Sequence, residues 1–415
     1  MEDGDLFGLI QAKVWRSKFS PSPELPEEEY QRKPFIFDIE THVWDGRHRS
    51  RVPLLDDFLR GVELRVAWYR MEKECDLTHI TLDRYMRELY VESECDMAFV
   101  CSLQSFGVRK PEIERYIAEP EDVAAAQKAY PHRNIAAGLI APVIAGDEGI
   151  EYIEYQVRRL GIRVWSETYN YVRRPNAPRG QRVVNWRYDD EKRVYPILEK
   201  LVELNAPILC LSGPRPGDGR CDWSDVDIAA KNFPELTFII YHFGGIYYKS
   251  AAHAAASNKN VFIGWNVKHD PLRSVPERYI ERFGEIFAIT GPEKIVWGTD
   301  WPATGYMQFQ IEMCKAFQFP KEMRLKYALP ELTEKDKRRM FGLNMAEILK
   351  KHGFIESLEE HLKKIREDEF SREAARILPT LKAKYKKLLM DLHPWWRDQE
   401  HWLIWKYEES PFSIR

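Results

Sequence analysis

Cysteine is scarce in this chain. There are six in 415 residues (Cys75, Cys95, Cys101, Cys210, Cys221 and Cys314), and no two are spaced as Cys-x-x-Cys. That argues against a zinc knuckle or a disulfide framework and leaves buried free thiols. Neither sign of charge is in excess: 62 Lys and Arg stand against 65 Asp and Glu, a net charge of −3. A nucleic-acid protein working through a bulk positive field is therefore not expected. No apolar run approaches the roughly 20 residues that span a bilayer. The first residues, MEDGDLFGLIQAKVW, carry acids where a signal peptide carries bases. The expectation is a cytoplasmic protein without nucleic-acid or membrane partners, acting on a small molecule. There is no low-complexity tract and no repeat beyond the one described next.

What the chain does have is a rhythm. Apolar residues make up 44% and charged residues 31%, enough for a large core. Eight short apolar runs recur: FIFDIET (35–41), DMAFVCSL (96–103), NIAAGLIAP (134–142), GIRVWSET (161–168), APILCLS (206–212), LTFIIYHF (236–243), NVFIGWN (260–266) and KIVWGTD (294–300). They are rich in Val, Ile, Phe and Leu without strict alternation, as strands buried on both faces are. Segments 120–130, 147–159, 190–204, 223–233, 247–257 and 276–288 repeat apolar residues at three and four, which predicts helices. Eight strands with helical crossovers fit a (β/α)8 barrel of the TIM type better than an open sheet.

Three segments lie outside that rhythm. Residues 1–34 are polar and proline-containing and read as an N-terminal arm, before a barrel spanning 35–350. Residues 43–95 form an insertion after strand one, helical in composition over 68–93. Residues 351–415 are a helical C-terminal extension ending in HPWWRDQEHWLIWKYEESPF. Four Trp and one Tyr within 395–407 are too many to leave in water; they either pack on the barrel or make a subunit interface, which the enrichment of aromatics at interface cores favours.

A barrel of this kind carries its site at the C-terminal strand ends. Strand one ends in Glu40-Thr41-His42, and period-two geometry puts Glu40 and His42 on one side. Strand six ends at His242 before Gly244-Gly245, strand eight at Asp300, and strand four at Glu167. Singly, each has a bland explanation: a satisfied loop histidine, a turn aspartate, a carboxylate paired with an arginine. Together, ionisable residues at the ends of one barrel are costly to bury without a metal or a partner. Glu40, His42, His242 and Asp300 are thus the candidate ligands, with Glu167 as a further one and His242 and Asp300 as candidate catalytic groups. Arg173, Arg174, Arg179, Arg215 and Arg220, in the pocket-forming loops, either bind a substrate carboxylate bidentately or are solvated charges.

The series FDIETHVW, TFIIYHFGG, KIVWGTDWP and LTEKDKRRMFGLNMAEIL, in order over residues 35–350, resembles the amidohydrolase superfamily, in its aminocarboxymuconate-semialdehyde and γ-resorcylate decarboxylase branch. The resemblance implies Glu40 and His42 as a first-strand ligand pair. It also implies His242 beside the metal, and Asp300 as ligand and proton carrier. The chain departs from the pattern on strand five. There, Pro207-Ile-Leu-Cys-Leu-Ser-Gly213 has no histidine near Leu211 or Ser212.

Residues 305–333 resemble a set of amidohydrolase-like non-haem metal oxygenases that includes the 2-aminoisobutyrate hydroxylase oxygenase component. Two imidazoles and two carboxylates suit iron or manganese at least as well as zinc. Three readings follow. The first is an iron or manganese monooxygenase component that hydroxylates a small amine or amino-acid-like substrate, with a ferredoxin as electron donor. The second is a metal-dependent decarboxylase or hydrolase. The third is a non-catalytic partner with a structural metal, joined to a related subunit in a homo- or hetero-oligomer.

Overall fold

All eight apolar runs fold as strands. In the computed structural model, which describes residues 25–43, 79–103, 118–140, 147–166, 171–173, 183–212, 222–266 and 276–392, they are β1 (Phe37–Thr41), β2 (Met97–Cys101), β3 (Asn134–Leu139), β4 (Val164–Ser166), β5 (Ile208–Leu211), β6 (Thr237–Ile240), β7 (Val261–Trp265) and β8 (Ile295–Trp297). They pair in chain order, each neighbour parallel. The circle closes beyond β8. There, Asp300 N donates to Glu40 O and His42 N donates to Trp301 O, both at 2.9 Å. The fold is a (β/α)8 barrel, and its seam is stitched at the strand ends, where the site lies.

The helices Pro120–Ala129, Asp147–Leu160, Tyr195–Glu203, Ser224–Asn232, Tyr248–Ser257 and Pro276–Thr290 follow β2 to β7 in turn. The first shows why such segments start where they do: Pro120 opens it with a preset φ, and Glu121 and Asp122 meet its positive end. The strands sort their side chains into two cores. Phe37, Ile39, Phe99, Ala137, Ile208 and Ile239 fill the barrel interior. Trp165, Leu209, Ile263, Trp265 and Trp297 face outward against the helices. The loop after β4 also holds a two-stranded antiparallel hairpin, Tyr171–Arg173 with Val183–Asn185, which the apolar-run pattern does not reveal.

The aromatic tail beyond residue 392, residues 44–78 of the insertion and the first 24 residues lie outside the described residues. The described part of the arm holds a short helix, Glu29 of which meets Arg338. The described part of the extension is two helices, Leu358–Glu367 and Glu369–Leu392. They are fastened to the barrel by buried charge. Arg133, at the start of β3, grips both carboxylate oxygens of Asp368 at 2.7 and 3.0 Å and donates to Ser371 Oγ at 2.8 Å. Among the described residues, no helix is long and apolar enough to cross a membrane.

A second fastening has a pH signature. Buried Glu94 accepts from Lys315, from Gln308 Nε2 at 2.9 Å and from Lys382 Nζ at 2.6 Å, joining the long C-terminal helix to the barrel. Burial alone would raise this carboxyl, but Lys315, Lys382 and Lys33 outweigh it and hold it well below the usual range. A carboxyl depressed on folding contributes stability above its unfolded value of about 4.3 and loses it as pH falls. Glu94→Gln is expected to lower the urea midpoint at pH 7 by removing the carboxylate charge that buried Lys315 shares with Lys382. The gap to the wild type should narrow below about pH 4.3. A gap constant between pH 7 and 3 would refute the linkage.

Candidate metal centre

On β1 the local sequence alone would mislead. Phe37 and Ile39 face inward, so Glu40 and His42 should face out. The pairing with β2 slips instead: Asp38 sits opposite Ala98 and Thr41 opposite Val100, three residues against two. This β-bulge inverts the alternation. Thr41 now points outward, where it pairs with Tyr85 Oη at 2.8 Å and donates to Phe99 O at 2.7 Å. Glu40 and His42 are turned toward the mouth.

Glu40, His42 and Asp300 are all buried, and they offer one ligand atom each within 4.8 Å of one another. His42 Nδ1 lies 3.0 Å from Cys101 O and His242 Nδ1 lies 2.8 Å from Asn266 O. A carbonyl only accepts, so each Nδ1 carries a proton, and it is Nε2 that would present a lone pair to an ion. Those nitrogens face carboxylates: His42 Nε2 is 3.4 Å from Asp300 Oδ1, and His242 Nε2 is 3.6 Å from Glu40 Oε1. Both distances exceed a normal hydrogen bond. They approach the separation of about 3.0–3.4 Å expected between neighbouring donors around one ion with bonds near 2.1 Å. The donor set, its tautomers and its spacing fit a divalent metal. The ligands would be Glu40, His42 and Asp300, with His242 adjoining.

Two of these residues are held in costly backbone conformations. His242 has φ 56° and Asp300 φ 60°, left-handed values that cost non-glycine residues of the order of 1–3 kcal/mol and concentrate at functional sites. Asp38 braces the Asp300 segment. It is fully buried and accepts from Glu40 N at 2.9 Å and Thr299 N at 3.0 Å, and Thr299 Oγ1 bonds its second oxygen. Burial pushes its carboxyl up to about 7, against the pull of those hydrogen bonds.

Strand five contributes neither an imidazole nor a carboxylate. Cys210 points into the barrel interior, where burial pushes its thiol up to about 12, and it does not belong to the group whose ligand atoms meet within 4.8 Å. Ser212, the next inward position, is buried. Cys101 is likewise raised well above its ordinary value by burial. The structure thus brings Glu40, His42, His242 and Asp300 to one mouth. Glu167, Arg174, Arg179, Arg215 and Arg220 lie outside the described residues, and of Arg173 only the backbone is described. Asp38 and Asn266 are the contributors that strand-end reading misses. Asn266 did carry a signal, as a polar residue ending the apolar run NVFIGWN.

The sequence model of the amidohydrolase family matches residues 91–351. That span contains His242 and Asp300 but begins after β1. Comparison with curated proteins returned no match. Among solved structures, a TIM-barrel protein from Bordetella bronchiseptica is similar at 15% identity with a TM-score of 0.50, over 77% of this chain and 99% of that one. The 4-oxalomesaconate hydratase of Rhodopseudomonas palustris aligns at 16% identity and TM-score 0.44 (80% and 100% covered). A 2,6-dihydroxybenzoate decarboxylase complexed with 2,6-dihydroxybenzoate aligns at 16% and 0.44 (77% and 99%). Likeness at this level concerns the fold.

Proposed function

Because the chain belongs to the amidohydrolase family, we propose that it is a metal-dependent hydrolase or decarboxylase of a small polar substrate. The observation that carries this is the buried group Glu40, His42 and Asp300, with the His42 tautomer set by Cys101 O. Glu40 and His42, at the end of β1, and Asp300, in the segment after β8, would hold the ion. A divalent ion held there polarises a substrate oxygen and acidifies bound water.

The residues supply the rest. Asp300 receives or returns a proton at its carboxylate, at the seam where β1 meets the residues after β8. His242 keeps its Nδ1 proton on Asn266 O, so its Nε2, 3.6 Å from Glu40 Oε1, is the atom that would exchange a proton. Its side chain is 26% exposed, where Glu40 is fully buried, so it is the member of the group that a substrate reaches from solvent. Buried apolar walls beneath, from Ile39 to Ile239, keep water out of the barrel below the site.

Manganese or iron fits two imidazoles and two carboxylates at least as well as zinc. That donor chemistry is what favours the second reading, a monooxygenase component drawing electrons from a ferredoxin. The two separate on one experiment: turnover of a panel of small carboxylates and amides by the metal-loaded protein under nitrogen. Turnover without oxygen, falling by about 10²–10⁴ in kcat for Asp300→Asn, supports the hydrolase or decarboxylase. Turnover that requires oxygen and an electron donor overturns it in favour of the oxygenase.

A further inference from the structure

Asn266 stands at the end of β7, fully buried, and one side chain touches both halves of the site. Its Nδ2 donates to Glu40 Oε2. Its Oδ1 accepts from His242 N at 2.7 Å, and its own backbone oxygen faces His242 Nδ1 at 2.8 Å. The amide orientation is fixed by its partners, since a backbone N–H only donates and an ionised carboxylate only accepts. Neither aspartate nor leucine, close to it in size, can serve both.

The surroundings are shaped for this amide. A Cβ on Gly264 would overlap Asn266 Oδ1, and a Cβ on Gly298 would come within 3.0 Å of Asn266 Cβ and 2.9 Å of Asp38 Oδ1. β7 and the residue after β8 thus leave open the volume the amide occupies. The bond to His242 N also secures a residue held at φ 56°, which would otherwise relax toward ordinary backbone values.

We propose that Asn266 is the positioning residue of this site: bridging Glu40 Oε2 and the His242 backbone N–H, it directs Glu40 Oε1 at the cation and holds His242 Nε2 beside it. The proposal rests on the metal reading given above. It goes beyond that reading by placing the control of one ligand and of the adjoining imidazole in a residue that itself offers no donor to the ion. Outer partners of this kind tune metal affinity by about 10- to 100-fold.

The test is titration of Co²⁺ into the metal-free full-length protein, followed by calorimetry and by the visible d–d band. Asn266→Asp keeps an acceptor for His242 N and loses only the donor to Glu40. Asn266→Ala loses both. Each is expected to weaken Co²⁺ binding by about 10- to 100-fold and to alter the band, with folding verified by circular dichroism. The double variant Glu40→Gln with Asn266→Asp restores a donor–acceptor pair with its polarity reversed. It should regain thermal stability over Asn266→Asp, which shows that the fold needs only a matched pair there; since Glu40→Gln itself removes a ligand, Co²⁺ affinity is compared between the wild type and the single Asn266 variants. If the wild type binds Co²⁺ and Asn266→Asp binds it within twofold with the same band, the proposal is overturned alone. If the wild type binds no Co²⁺, the metal reading falls and the proposal falls with it.

Discussion

His42→Ala is expected to abolish turnover and to weaken divalent-metal binding by at least 100-fold, the upper end of what loss of an outer partner alone costs. The chain should remain folded. Three facts set the size of the effect. His42 is 1% exposed, its Nδ1 proton is committed to Cys101 O, and its Nε2 is aimed at Asp300. Its removal therefore deletes a donor that no solvent-mobile side chain replaces. The backbone bond from His42 N to Trp301 O does not depend on the side chain, so the barrel seam persists. Calorimetric titration with Mn²⁺, alongside far-ultraviolet circular dichroism, checks both halves. A folded His42→Ala protein with wild-type affinity would remove His42 from the ligand set.

The second large effect is on stability. Asp368→Ala is expected to destabilise the protein by about 3–5 kcal/mol, the range for removing one partner of a buried ion pair. Arg133 would keep its charge, 2% exposed, without the two carboxylate oxygens that hold it. Burial would raise the Asp368 carboxyl. His132 and Arg133 more than reverse this and hold it well below the usual range, so the pair stays ionised across the ordinary pH range. A urea series on the variant checks the figure. A loss below about 1 kcal/mol, the level of an exposed ion pair, would show that Arg133 finds water or another acceptor.

Much of the fold was legible because parallel strands buried on both faces cannot hide their composition. NIAAGL at β3 and TFII at β6 are apolar after their first residue, and each is followed by a segment with helical spacing. The hairpin Tyr171–Arg173 with Val183–Asn185 was not legible, since three-residue strands carry too little periodicity to read. At the site, Glu40, His42, His242 and Asp300 could be named because a barrel fixes where strand ends meet. The reason Glu40 and His42 face inward could not be read. The bulge is a property of how β1 registers on β2, and it reverses what alternation from Phe37 and Ile39 would give. Asn266 and Asp38 stayed hidden for a related cause: their bonds to Glu40, His242 and Thr299 are set by tertiary approach. The bond from Asn266 to Glu40 spans 226 positions. The missing histidine on strand five was legible, and the structure bears on it directly, with a buried Cys210 and a buried Ser212 in its stead.

That departure makes metal content the decisive quantity. Elemental analysis of the protein, purified without added metal or chelator, should find close to one divalent transition-metal ion per chain, and Glu40→Gln and Asp300→Asn should each lower it. Substoichiometric metal in the wild type, or full occupancy in both variants, would contradict a metal centre built on Glu40, His42 and Asp300.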